Sequence, residues 1–227
     1  MNDIKEKLRT DYYFDIESVL RYAFEIIKRD VLVISVYSTI YILSGLLLMR
    51  LGYYGIAIYA VLTGPLIAGF YHAFAEAERG ERLRLDHFFV AFRNPLPYIL
   101  VNIVTSLLAA IGIYLLVIPG IYLYVAYFFA IPFTVYHRLS LWEAMEASRI
   151  IITRKWFAFF LLILILMVLN FIGALLYGFG LIFTLPFTYA AVYVAFASIF
   201  GESHQEKDDD TDADKDNDNI VSKDMFR

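Results

Sequence analysis

Six uncharged apolar runs dominate the chain: Val31 to Met49, Gly52 to Ala75, Leu96 to Ile118, Ile121 to Tyr136, Trp156 to Leu176 and Phe179 to Phe200. None contains Asp, Glu, Lys or Arg. A helix needs about 20 apolar residues to cross a hydrocarbon core of roughly 30 Å. In that core the backbone must satisfy its own hydrogen bonds, which helices do within one segment. The expected fold is therefore all-α, a polytopic membrane protein of six transmembrane helices. The Ile121 to Tyr136 run is short, so a re-entrant hairpin turning at Pro119-Gly120 is the alternative to two full crossings there.

The connections alternate in character. Arg50-Leu51, Pro119-Gly120 and Tyr177-Gly178 are tight, whereas Glu76 to Pro95 and His137 to Lys155 are long and charged. Three hairpins joined by two polar segments follow. Basic residues cluster before the first run and in the two long segments, and Arg50 stands alone on the other side. By the positive-inside rule both termini and both long connections are cytoplasmic, and the three tight turns face outward. The polar first thirty residues lack an early apolar core followed by a small-residue cleavage site, so no cleavable signal peptide is expected.

The charged segments carry helical periodicity. After Asp15, the residues Ile16, Val19, Leu20, Ala23, Phe24 and Ile27 recur at steps of three and four. Ser140-Leu141-Trp142-Glu143 reads as a capping box opening a second such helix. A shorter one follows Asp86, with Phe88, Phe89 and Phe92 on one side. Each amphipathic helix leads into an odd-numbered run and is expected along the cytoplasmic interface.

These signals repeat. Asp15 precedes Pro65 by 50 residues, Asp86 precedes Pro132 by 46, and Ser140 precedes Pro186 by 46. The stretch Pro132-Phe133-Thr134 returns as Pro186-Phe187-Thr188, with Gly64-Pro65 as the diverged counterpart. The pattern predicts a six-span membrane domain over residues 1–200, with repeats at about 15–75, 86–136 and 140–200. Each unit is an interfacial helix, a span, a tight turn and a proline-bearing span. Two spans per unit return the chain to one side, so the units are parallel about a pseudo-threefold axis along the membrane normal. Pro65, Pro132 and Pro186 are candidate helix kinks, read as a packing feature ahead of a gate. Residues 201–227 carry ten acidic against four basic residues and read as a disordered acidic cytoplasmic tail.

Chemistry-bearing patterns are sparse. Cysteine is absent, which excludes disulfides and thiolate metal sites. The spans contain no carboxylate or basic side chain for a proton relay. Asn102, Thr105, Ser106 and Asn170 read as hydrogen-bonding glue between helices. His72 and His137 each follow a Tyr at a span end and read as interfacial anchors. Asp214 to Met225 lacks the turn glycine and final acidic residue of a calcium loop. No phosphate-binding loop, dinucleotide fingerprint or nucleophile elbow is present. No catalytic residue, cofactor, metal or nucleic-acid partner is expected.

The order Pro119-Gly120-Ile121-Tyr122-Leu123, Phe129-Ala130-Ile131-Pro132, Leu139-Ser140 with Glu143-Ala144 and Ser148, then Lys155-Trp156, spans Val117 to Ile163. It resembles the membrane domain that precedes the catalytic barrel in some bacterial glycerophosphodiester phosphodiesterases, and the related uncharacterised YciC-like integral membrane proteins. The resemblance covers about 50 residues and implies a six-span protein of a bacterial or archaeal plasma membrane. It implies no hydrolase activity, since the 27 polar residues after Phe200 cannot form a barrel.

Two function classes remain at this level. One is a non-enzymatic scaffold that interacts with membrane lipids or organises other membrane proteins at the cytoplasmic interface. The other is a channel or transporter for a neutral or amphipathic solute through the centre. Lys28, Arg29, Arg93, Arg154 and Lys155 precede the odd-numbered spans and are candidate sites for anionic lipid headgroups.

Overall fold

A computed structural model describes residues 12–200; the tail and the basic residues Lys5, Lys7 and Arg9 lie outside the described residues. Among the described residues every regular element is helical. They are α1 (Ile16–Arg29), α2 (Val31–Met49), α3 (Gly52–Glu78), α4 (Leu85–Phe88), a 3-10 turn (Val90–Arg93), α5 (Leu96–Leu115), α6 (Val117–Ala126), α7 (Ala130–Tyr136), α8 (Leu141–Arg154), α9 (Trp156–Leu175) and α10 (Leu181–Phe200). With α6 and α7 taken together as Val117–Tyr136, six helical segments are long and apolar enough to cross a membrane.

The local signals act largely where expected. Asp15 caps α1 by accepting from the backbone N–H groups of Glu17 and Ser18. Glu143 closes the box at α8, accepting from the Ser140 N–H at 3.1 Å and the Ser140 hydroxyl at 2.7 Å. The signal at Asp86 differs, because Arg84 takes the N-cap of α4 and Asp86 lies inside its first turn, paired with Arg84. Only four residues of α helix form there before the chain tightens into the 3-10 turn.

Each element that precedes a span packs on a return helix. Helix α1 lies against α10, α4 and the 3-10 turn against α3, and α8 against α6 and α7. Each first span sits between two return helices: α2 touches α3 and α10, α5 touches α6, α7 and α3, and α9 touches α10 and α6. The return helices meet one another. Helix α3 packs on both α7 and α10, and α7 meets α10 through Phe133–Phe196 and Tyr136–Tyr193 ring contacts. Val19, Ala23 and Ile27 form the buried face of α1, while Phe24 is 56% exposed and stands off it.

Glycine pairs tighten the second and third hairpins. A Cβ on Gly120 would fall 2.2 Å from the Ile113 backbone nitrogen, and one on Gly180 would fall 2.6 Å from the Gly173 Cα. No side chain fits between the helices of either hairpin at these points.

The second hairpin departs from the sequence reading. Its turn falls at Leu116, in extended conformation, and Pro119-Gly120 lies inside the first turn of α6. Its return segment breaks over Tyr127, Phe128 and Phe129. The turn also sits in an unexpected place. Tyr122, six residues into α6, hydrogen-bonds Thr153 at 3.0 Å and stacks on Trp156, the first residue of α9. Helix α9 is about 30 Å long at 1.5 Å per residue. The turn at Leu116 therefore lies beside the start of α9, whereas the turn after Leu175 lies at its far end.

Candidate functional site

The three return helices converge on aromatic side chains. Phe70, Tyr71, Phe133, Tyr193 and Phe196 are all buried there. Phe70 stacks on Tyr189 at 4.9 Å, and Phe133 and Phe129 set their edges against Phe196 at 5.0 and 5.4 Å. Polar handles on these rings link the helices. The Tyr136 hydroxyl donates to the Tyr71 carbonyl at 2.6 Å, the Tyr37 hydroxyl donates to the Leu66 carbonyl at 2.9 Å, and the Tyr193 hydroxyl donates to the Glu78 carboxylate. Tyr41 and Tyr189 share a hydroxyl contact at 3.2 Å. A buried hydroxyl without such a partner would be costly, so these bonds fix ring positions as well as filling space.

All three candidate kink prolines are buried, in two different settings. Pro65 and Pro186 lie inside continuous helices, where a missing N–H leaves one carbonyl of the preceding turn unpaired. Pro132 is the third residue of α7, where no intrahelical N–H bond is required. The break before it is bridged by Ser148 of α8. The Ser148 hydroxyl donates to the Ala126 carbonyl at 2.7 Å and accepts from the Phe129 N–H at 3.1 Å, and the residue is fully buried. Sequence reasoning missed Ser148; its signal was a lone hydroxyl on the otherwise apolar face of Ala144, Met145, Ala147, Ile151 and Ile152.

The basic candidates occupy equivalent local positions. Lys28 and Arg29 lie in the last turn of α1, Arg93 in the last residue of the 3-10 turn, Arg154 in the last turn of α8, and Lys155 at its C-cap. Positive charge there complements the helix dipole. Arg29 also donates to the Ala77 carbonyl at 3.4 Å, and the Lys155 ammonium lies 5.4 Å from the centre of the Tyr12 ring. Lys28, Arg29, Arg93 and Arg154 are exposed, and Lys155 is half-buried.

Outside the spans, two carboxylates are held below their ordinary range. The Ser18 hydroxyl bond does this for Asp15, and the Arg149 guanidinium bond does it for Glu146. The polar span residues bridge helices in part: Asn170 donates to Thr188 across α9 and α10 at 2.6 Å, and Asn102 reaches the Ala60 carbonyl at 3.4 Å. Thr105 instead bonds carbonyls of its own helix. His72 pairs with the Tyr98 hydroxyl at 3.2 Å, and His137 packs among Phe133, Phe196 and Phe200. Among the described residues, no three His, Asp or Glu side chains gather into a metal-ligand set.

The fold and these side chains define a multi-pass helical membrane protein with an aromatic centre. Compared with known protein families, curated proteins and solved structures, the chain matches none.

Proposed function

We propose that the chain is a non-enzymatic integral membrane protein that organises lipids, and through them other envelope proteins, at its cytoplasmic interface. The observation that carries this reading is the aromatic seal where α3, α7 and α10 meet, with Tyr136 bonded to the Tyr71 backbone. A path for a neutral solute through that centre would require the rings and their bonds to move together. Activity is then placed at the periphery, on the basic helix ends. In this reading the elements before each span are amphipathic, both termini are cytoplasmic, and the protein sits in a bacterial or archaeal plasma membrane.

The repeat belongs to the same proposal. Its support is the cyclic packing, in which each pre-span element contacts the return helix of the preceding unit and α1 contacts that of the last. Basic residues at the helix ends would then draw anionic headgroups, each Lys or Arg by about 1 kcal/mol. The resemblance of Val117 to Ile163 to bacterial membrane domains fits this role.

The experiment replaces Lys28, Arg29, Arg93, Arg154 and Lys155 by Gln and measures co-purifying phospholipid by native mass spectrometry. Reduced retention of anionic lipid in a correctly oriented variant is expected. Unchanged retention removes the basic ends from the mechanism.

A further inference from the structure

The displaced turn of the second hairpin builds a groove against the third. Ile118, Ile121 and Tyr122 of α6 face Trp156 and Phe160 of α9 around a space of about 410 Å³. Tyr122, Trp156 and Phe160 form its aromatic wall, with Trp156 stacked on Phe160 at 5.1 Å and on Tyr122 at 6.4 Å. The groove opens between two segments that qualify as membrane spans, so the molecules that meet it are those of the hydrocarbon phase.

Its rim has the opposite character. The Tyr122 hydroxyl bonds Thr153 at 3.0 Å, and Arg149, itself bonded to Glu146, lies beside the same hydroxyl. Arg154 and Lys155 occupy the two chain positions between Thr153 and Trp156, with the Lys155 ammonium 5.4 Å from the centre of the Tyr12 ring. An apolar trough about the size of a small-molecule site, ending at a hydroxyl pair and two cationic residues, has the polarity gradient of an amphiphile with an anionic head.

We propose that this groove seats one acyl chain of an anionic phospholipid, with the phosphate of its headgroup at the Thr153–Lys155 rim. The proposal rests on the lipid-organising reading and makes it specific: of the basic helix ends, the α8–α9 junction carries a chain-binding trough beside its charges. Selectivity comes from the rim and residence from the trough. Each of Arg154 and Lys155 favours an anionic over a zwitterionic head by roughly fivefold at the surface.

Trp156 supplies the test. Trp142 and Trp156 are the two tryptophans, and Trp142 is 70% exposed on α8. In a Trp142→Phe background, the full chain is reconstituted in phosphatidylcholine vesicles with a minor fraction of lipid brominated on its acyl chains. Brominated phosphatidylglycerol should quench Trp156 saturably and at a lower mole fraction than brominated phosphatidylcholine. Filling the trough with Ile118→Phe and Ile121→Phe should remove the saturable component. Arg154→Gln with Lys155→Gln should keep chain quenching but lower the phosphatidylglycerol preference roughly 25-fold.

Equal quenching by the two lipids in the parent overturns the site, as does undiminished saturable quenching in the filled variant. Ile118→Phe alone serves if the double substitution fails to fold, because Ile118 is 82% exposed. Lipid retention by native mass spectrometry is scored separately. If the parent quenches without preference yet loses anionic lipid when all five basic residues become Gln, the groove proposal falls and the lipid-organising reading stands. If neither signal appears, both fall.

Discussion

The first and second hairpins solve the same problem differently. In the first, α3 runs unbroken for 27 residues through Pro65, and the neighbouring Tyr37 hydroxyl adds a bond at Leu66, one residue past the proline. In the second, the return segment breaks outright ahead of Pro132, and Ser148 from α8 takes over the exposed backbone groups. A kink in a continuous helix keeps its direction and leaves a long span. A break with an imported hydroxyl allows redirection, and here it accompanies a hairpin whose turn lies beside the start of α9. The two return segments therefore differ in more than their prolines: the first continues through Pro65, and the second breaks over Tyr127 to Phe129, where Ser148 takes the Ala126 carbonyl and the Phe129 N–H.

Three substitutions, two of them with a control, test that contrast, beginning with the largest effect. Gly120→Val puts side-chain atoms where the Ile113 backbone already lies, so α5 and α6 must separate. A loss of about 3 kcal/mol or more in detergent stability is expected, read as a lowered unfolding midpoint. Gly45→Ala is the control, since the nearest atoms to its Cβ belong to the tip of the Tyr59 side chain, at 3.0 Å or more. Equal costs for the two would mean that the close glycine approach does not hold the second hairpin.

Ser148→Ala leaves a buried carbonyl and a buried N–H without their partner, and should cost about 1–3 kcal/mol. Ser38→Ala is the informative companion. Ser38 is equally buried but bonds only the Ile34 carbonyl of its own helix, so its loss should be milder. If Ser38→Ala is as damaging, the bridge across the break has no special role. Next, Tyr37→Phe removes the hydroxyl bond to Leu66 while keeping the ring against Phe70 and Phe88, and about 1 kcal/mol is expected. A cost larger than that of Ser148→Ala would reverse the ranking of the two hairpins.

The smallest effect concerns pH. The Asp15 carboxyl is lowered in the folded state, so its cap stabilises α1 above the ordinary Asp pKa and is lost as pH falls through the folded value. Hydrogen exchange in the first turn of α1 should rise only below roughly pH 4. Asp15→Asn keeps a capping acceptor and should abolish that dependence. An acid-induced change of the same size in Asp15→Asn would assign the transition to another group.

Much of the helical layout was legible in the chain. Span lengths follow from uncharged runs, because a charge in hydrocarbon is expensive wherever it falls. The caps at Asp15 and Ser140 follow from side-chain oxygens placed before periodic apolar residues, a relation confined to one turn. Asp86 fits the same rule and still fails to cap. Phe88 is fully buried, and its carbonyl lies 2.2 Å from where a Gly69 Cβ would stand, so packing against α3 sets the local backbone.

The candidate site divides along the same line. The sequence by itself determined that Lys28, Arg29, Arg93, Arg154 and Lys155 stand at helix ends, because periodicity and charge are local properties. Only the tertiary structure decided that Tyr136 bonds Tyr71 across 65 residues, that Ser148 spans a break 19 residues upstream, and that Ile118 meets Trp156 around one groove. Between apolar helices, contact choice depends on shape, on small residues and on scattered hydrogen bonds, because lipid is as apolar as the side chains it replaces. Those terms depend on three-dimensional neighbours, and no spacing along the chain encodes them.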